Sequence, residues 1–501
     1  MARVKPNQPL DVPPPTLVEK FRAGNQRLPL HPREKRLVGL LIMHLSFLPW
    51  ALGTMQAWSQ IVSFGLAVVG FIMAVLPRDY SADYTGGPEF RMSSWPKLLR
   101  FPVFWIGMIL LLYLGIQGSN PAWRYEQNQT HWWLSKVPHW EWLPAGLDTP
   151  FAQAGLGRQW LVYASCWLLL CSIWAGLSRR LSVQYILMAL ALNGLALSFF
   201  AIVQRYAGNG KIFWFVDRPG TQFFASFVYK NHAGAYLALL VSVALSLAYW
   251  YYDRGMRRLQ KSNPAGLFAF IGLIMALMVV FSFSRGATVL MLGLFIFAGL
   301  FLIITRRRQA TGNGNAIVGV TLALAFGCFL LIALKSFEIS RAIRRFDELV
   351  NRSETEVSVS SRSLARQAAT DMLHDYWLKG SGAGSFRYLF PAYANKYPEL
   401  TQGGKLFWEH AHSDWLEIPI ELGLVGSLLL LAGIGSVGLQ LIRYNFWDNP
   451  LASLLLLGCA MTLVHGWIDF VFQCPAILLT WAALPVCLAR WMELEVLHDT
   501  R

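Results

Sequence analysis

Residues 407–426, FWEHAHSDWLEIPIELGLVG, gather Glu409, His410, His412 and Asp414 at the mouth of a strongly apolar run. Imidazole titrates near neutrality, so a histidine placed there is suited to take the proton of an attacking hydroxyl. His412 stands one residue outside the run and two after His410, and a helix beginning near 410–414 sends His412 and Asp414 to different sides. A plainer use exists for the same residues. Ser413 and Asp414 are good helix N-caps, and the cluster can be a hydrated cap. Deeper in the run, Glu417 and Glu421 lie one helical turn apart, and acids at such a depth are expected to pair with an arginine.

A second set of groups is cationic. Arg205 closes one apolar run, Arg218 and Lys230 follow in the next connection, and Arg285 occupies the hairpin FSFSRGATVL between two runs. A guanidinium in that setting must meet an anion or reach the lipid headgroups. It serves either as a lipid-phosphate anchor or as a planar fork of donors for a pyrophosphate. His465 and Asp469 share a helix face, as a polar clamp between helices or as part of the site. Metal chemistry finds little support. Glu126, Glu141 and Asp148 are scattered, and an exposed charged helix reaches the spacing of Asp371, His374 and Asp375 by chance. No metal and no cofactor is expected. The segment KGSGAGSF, 379–386, has the glycines of a phosphate loop but neither the preceding strand nor the Gly-Lys-Ser/Thr ending, and reads as a flexible turn.

The elements that carry these groups follow from composition. Of 501 residues, 55% are hydrophobic and 14% charged, and the mean hydropathy is +0.41, too apolar for a soluble protein of this length. The 21 tryptophans suit wide interfacial belts. Six cysteines lie in or beside apolar runs and read as small hydrophobes. No cleavable signal peptide precedes the first run, only a basic, Pro-rich tail. A net charge of +15 raises the question of nucleic acid, but the basic residues cluster between apolar runs, at Arg179–Arg180, Arg254 with Arg257–Arg258, and Arg306–Arg308. Positive-inside topology accounts for that distribution, so no nucleic-acid partner is expected.

Runs of spanning length lie near 37–53, 58–76, 101–118, 158–178, 182–203, 232–252, 265–283, 286–304, 316–334, 414–440, 451–470 and 475–491. The expected fold is all-α and polytopic, with about twelve transmembrane helices. It divides into a cytoplasmic tail (1–36), nine spans (37–334) with outer connections at 119–157 and 204–231, an outer segment (335–413), three spans (414–491) and a cytoplasmic tail (492–501). The Trp-rich connection 119–157 is expected to form an interfacial lid or belt. Within the outer segment, SRSLARQAATDMLHDYWLKG reads as a surface helix with an apolar face of Leu364, Ala368, Leu373, Tyr376 and Trp377, stopped by Gly380.

Five pieces in this order carry a resemblance: GTQFFASFVYKNHAGAYLAL (220–239), FSFSRGATVL (281–290), SRSLARQAATDMLHDYWLKGSGAGSF (361–386), EHAHSDWLEIPIELGLVG (409–426) and VHGWIDFVFQCPA (464–476). Together they resemble the O-antigen ligase and polymerase family of bacterial envelope enzymes. Ser413 and Trp415 stand where that family's pattern has Asn and Tyr. The resemblance implies a GT-C-like membrane fold and a metal-independent, inverting glycosyl transfer on the outer face of the inner membrane. The donor it implies is a glycan on undecaprenyl pyrophosphate; the acceptor is lipid A core, a growing glycan or protein. It further implies that Arg285 holds the pyrophosphate and His412 acts as the base, with Arg205, Arg218, Lys230, His410 and Glu421 in substrate binding. The rival to an enzyme is a lipid or solute transporter, but the polar groups crowd one end of the spans rather than their middle.

Overall fold

The computed structural model describes residues 30–80, 90–217, 223–259, 262–308, 335, 359–401 and 406–499. The expected span 316–334, residue Arg218 and most of the tail 1–36 lie outside these residues. Helices α1 (Pro32–Trp50), α2 (Ala57–Val75), α3 (Trp95–Leu99) and α4 (Pro102–Ser119) open the chain, with strands β1 (Arg78–Tyr80) and β2 (Phe90–Met92) between α2 and α3. Strands β3 (Pro121–Gln127), β4 (Trp132–Lys136) and β5 (Gly146–Asp148) follow. Helices α5 (Leu156–Gly176), α6 (Arg180–Ala207), α7 (Lys230–Arg257), α8 (Ala265–Phe281) and α9 (Arg285–Arg308) then traverse the bundle. Three helices cap it, α10 (Val359–Tyr376), α11 (Phe386–Ala394) and α12 (Pro398–Thr401), before α13 (Asp414–Arg443), α14 (Pro450–Ile468) and α15 (Pro475–Asp499). Eight of these helices are long and apolar enough to cross a membrane, and α8 and the described side chains of α9 are shorter apolar helices. The protein is a multi-pass, all-α membrane protein.

One bundle end is tied by charge. Glu34 of α1 and Arg78 of β1, each about 1% exposed, form a 2.8 Å ion pair. The Glu34 carboxylate also accepts from the Ser178 amide at 2.9 Å and the Ser182 hydroxyl at 2.6 Å, and Arg490 Nε of α15 donates to the Leu177 carbonyl at 2.7 Å. Arg78 is thus a buried structural cation whose partners offset its desolvation.

The opposite end carries a small second layer. The Trp-rich connection folds as a three-stranded sheet in the order β4-β3-β5, β3 antiparallel to β4 and parallel to β5, where only a lid or belt was expected. Ala365, Ala368, Ala369 and Met372 of α10 are fully buried against α11, α13 and the 406–411 segment. The buried stripe therefore follows the alanines, while Trp377 stays 54% exposed. Small side chains let α10 approach its neighbours closely.

The glycine-rich turn joins the two layers and is not free. Ser381 and Gly382 donate their amides to the Ile420 and Glu421 carbonyls at 2.8 and 3.0 Å, where α13 is kinked at Gly423 (φ 65°, ψ −174°). A Cβ on Gly423 would lie 2.4 Å from the Gly380 nitrogen and 2.5 Å from the Leu378 carbonyl oxygen. That backbone region belongs essentially to glycine. Gly423→Ala is expected to destabilise the protein by about 2 kcal/mol or more through strain and backbone collision. Gly433 of the same helix, whose added Cβ would meet only Ile106 Cγ2 at 3.9 Å, is expected to tolerate alanine. Thermal unfolding of the two variants in detergent tests the contrast, and equal midpoints would refute it.

Candidate functional site

The chain between α12 and α13 turns sharply at His412, whose φ is 51°. This left-handed conformation is uncommon for a residue with a side chain and is held only where surrounding packing imposes it. His412 Nδ1 faces Asp469 Oδ1 at 3.4 Å, both side chains being nearly buried. Asp469 ends α14 and accepts from Asn231 Nδ2 of α7 at 2.6 Å, while the Asp414 amide donates to its backbone carbonyl at 3.2 Å. Burial alone raises a carboxyl, but His412, His465 and His232 around Asp469 hold it below the ordinary range. Asp469 thus ties α14 to α7 and also stands beside the candidate base, while the His465 ring lies against Gly286 of α9.

His410 has a carboxylate of its own. Its Nδ1 lies 2.7 Å from Glu417 Oε1, and Glu417 Oε2 accepts from the Ala411 amide at 2.8 Å. Glu421 Oε1 accepts from the Phe386 amide at 3.1 Å. An arginine partner was expected for both acids, but among the described residues neither forms an ion pair with one, because the bend before α13 and the Gly-rich turn bring a histidine and backbone amides to them. With Nδ1 directed at a carboxylate, each imidazole is left with Nε2 as its second functional nitrogen.

Both rings pack on Phe470, which is sandwiched between His410 (4.4 Å, 19°) and Tyr229 (5.2 Å, 10°) and met edge-on by His412 (5.0 Å, 76°). Tyr229, Leu406, Phe407, Trp408, Glu409, His410, His412 and Phe470 line a slot of about 230 Å³. The cap reading of the cluster weakens here. Ser413 is the N-cap of α13, but its side chain makes no capping hydrogen bond.

Cationic residues flank the slot unevenly. Lys230 begins α7 beside Tyr229. Arg285 begins α9, exposed, and its neighbour Gly286 abuts the His465 ring, with only 3.1 Å between an added Cβ and Nε2. The hairpin reaches this place because Gly234 of α7 admits Ala287, whose Cβ would stand 2.8 Å from a Cβ there. The N-termini of α7, α9 and α13 converge at this end, which favours an anion. Arg205 is exposed in the last turn of α6, and among the described residues no hydrogen bond or ion pair links it to the histidines. Arg218 lies outside the described residues. Sequence reading missed Arg387, which pairs with Glu409 at 2.7 Å on the slot's rim. It also passed over Asn231, Tyr229 and Phe470, although all three stand in quoted motifs. The acids of α10 are engaged in binding the cap, with Asp375 accepting from Tyr393 at 2.6 Å and Asp371 lying 3.8 Å from Lys396. Among the described residues no group of three or more His, Cys, Asp or Glu is arranged to hold a metal ion.

His410 titrates as a buried base. Burial lowers it from 6.5 to about 4, so between those values the unfolded chain takes up a proton that the folded one refuses. The stability tied to this histidine is therefore complete above about pH 6.5 and declines toward pH 4, by up to about 1.4 kcal/mol per pH unit. Unfolding midpoints recorded across that range should fall more steeply for wild type than for His410→Gln. Parallel curves would contradict the assignment.

A family model described as O-antigen ligase matches residues 270–431, about a third of the chain. The match takes in Arg285, the capping helices, both histidines and the glycines of the α13 kink. None of the curated proteins compared matches the chain. The chain resembles the O-antigen ligase family over this segment, which supports a membrane glycosyltransferase-like function. The motifs at 220–239 and 464–476 fall outside the matched residues. They nevertheless meet the matched segment in space, the first where Gly234 abuts Ala287 and the second through Asp469 and Phe470.

Proposed function

We propose that the chain transfers a glycan from undecaprenyl pyrophosphate to a hydroxyl of lipid A core, at the periplasmic face of a bacterial inner membrane. The observation that carries this reading is the placement of His412, in a strained turn, against Asp469 and inside an aromatic slot at the end of a membrane bundle. The acceptor hydroxyl gives its proton to His412 Nε2 as its oxygen attacks the anomeric carbon. The bond from that carbon to the pyrophosphate oxygen breaks, and its electron pair leaves with the pyrophosphate. Attack from the side opposite the leaving group inverts the anomeric centre. Asp469 orients the ring and stabilises the imidazolium that forms, as a carboxylate does behind any histidine base. Lys230 and Arg285, with the helix N-termini, take the growing charge on the pyrophosphate, so the step needs no metal. His410, kept neutral by burial, offers its own Nε2 to a sugar hydroxyl.

Reconstitution tests the reading. Proteoliposomes of the purified chain, treated with EDTA and given an undecaprenyl-pyrophosphate glycan and lipid A core, are expected to yield glycan-modified core. Lengthened lipid-linked glycan with unmodified core would instead make the protein a repeat-unit polymerase. Absence of any transfer with EDTA, restored by a divalent cation, would overturn the metal-free step.

A further inference from the structure

We infer that the sheet β3–β4, with Phe407, is a stacking platform that holds the acceptor saccharide and feeds its hydroxyl into the histidine slot. This rests on the transfer reading above. On one face of the hairpin the register pairs Tyr125 with Leu134 and Gln127 with Trp132. The inner part of that face, Trp123 and Leu134, packs on the buried core of α10 and α11. The outer part continues as an array of rings. Tyr125 stacks on Trp132 (5.8 Å, 24°), Tyr388 meets both edge-on (5.4 and 5.9 Å), and Phe407 meets Trp132 at 6.1 Å. Phe407 in turn lines the slot with His410 and His412.

Two of these rings lack cover. Trp132 is 37% exposed and Phe407 51% exposed, although both sit among packed neighbours. An exposed aromatic array beside a polar slot suits an amphipathic ligand. A pyranose presents apolar C–H faces to rings, as any apolar surface does, and projects its hydroxyls sideways. Polar groups stand at that rim: Glu409 with Arg387, His410, and Gln127, whose Oε1 accepts from the Tyr125 hydroxyl at 2.9 Å. Trp140 and Trp142, 65% and 69% exposed and set edge-on to each other, belong to a different patch and suit a lipid interface.

The direction follows from the chemistry. Inverting displacement requires the nucleophile and the pyrophosphate on opposite sides of the anomeric carbon. Tyr229 and Lys230 mark the slot's bundle end, Phe407 and Trp132 its hairpin end. With the pyrophosphate at the cationic bundle end, the hydroxyl arrives from the hairpin end. The platform therefore takes the acceptor glycan rather than the donor's.

The test uses the full chain in detergent and, as probe, deacylated core oligosaccharide from the lipopolysaccharide of the native host. Calorimetry should show wild type and Trp142→Ala binding it alike, with Trp132→Ala and Phe407→Ala weakened about tenfold, the loss expected for removing one aromatic contact. Trp132→Phe, which keeps a ring, should recover most of the affinity and so separates stacking from damage to the hairpin. In transfer assays the acceptor KM should rise in the alanine variants while the donor KM holds. Unchanged oligosaccharide binding, a raised donor KM, or a loss only of vesicle binding would each overturn the platform. The outcomes remain separable from the underlying reading: a wild type that modifies core while the variants bind core normally refutes the platform alone, and a wild type that modifies no core refutes the transfer reading itself.

Discussion

His412→Ala will cut turnover by about 10²- to 10⁴-fold while donor binding survives, the range expected for loss of a general base. The prediction stands on geometry. His412 adopts φ 51°, faces Asp469 at 3.4 Å and lines the slot, and its neighbour Ser413 does not cap α13 with its side chain. A residue serving only as part of a helix start would cost roughly 1 kcal/mol of stability on substitution and leave the rate per folded molecule intact. Alanine at a left-handed position brings some strain of its own. His412→Asn, which adopts that conformation more readily, therefore provides a second variant with the turn preserved. Both are expected to bind a lipid-pyrophosphate donor normally and to turn over slowly. Asp469→Asn should reproduce part of the rate loss, because the ring loses the carboxylate that orients it. Specific activity near wild type for His412→Asn would retire His412 and place the base at His410.

The bundle was legible in the sequence because spanning helices announce themselves by length and apolarity, which no neighbour needs to supply. Eleven of the twelve expected runs coincide with helices among the described residues, the run 316–334 lying outside them. The histidine cluster was legible for the same reason, since polar groups at the mouth of an apolar run stand out. What was not legible depends on distant chain. Glu417 finds His410 through the bend at His412, and Glu421 finds the Phe386 amide through a turn whose glycines allow the backbone approach. A carboxylate's nearest charge in sequence says little about its partner across a fold. The same holds for Arg387, which only the pairing with Glu409 brings to the slot. The Trp-rich segment, read as an interfacial lid or belt, was legible only in part. Composition alone suggests the lid or belt; that the segment forms strands, with Trp123 and Leu134 packed on the capping core, depends on residues distant in the chain.

Arg285→Ala is expected to lower kcat/KM for the lipid-pyrophosphate donor by about 10²- to 10³-fold, on the scale of losing one preorganised donor to a developing anion. The charge on the pyrophosphate grows as the glycosidic bond breaks, so an interaction with it strengthens toward the transition state and its loss appears in kcat. Arg285 is suited to that role by position. It is exposed at the first turn of α9, next to Gly286 against His465, and one helical turn beyond His465 lies Asp469, the carboxylate behind His412. The hairpin that presents it is braced by Phe283 in the left-handed region (φ 54°) and by Ser284, whose hydroxyl accepts from the Ala287 amide at 3.4 Å. Arg285→Lys should recover only part of the activity, since one ammonium cannot reproduce a planar fork. A lipid-phosphate anchor makes another forecast. Lysine would then serve nearly as well as arginine, the losses would be in insertion or stability, and kcat per folded molecule would hold. Turnover and thermal midpoint measured on the same preparations of both variants decide between them. Full activity in Arg285→Ala at a normal midpoint would remove Arg285 from the reaction and leave Lys230 and the helix N-termini to hold the leaving group.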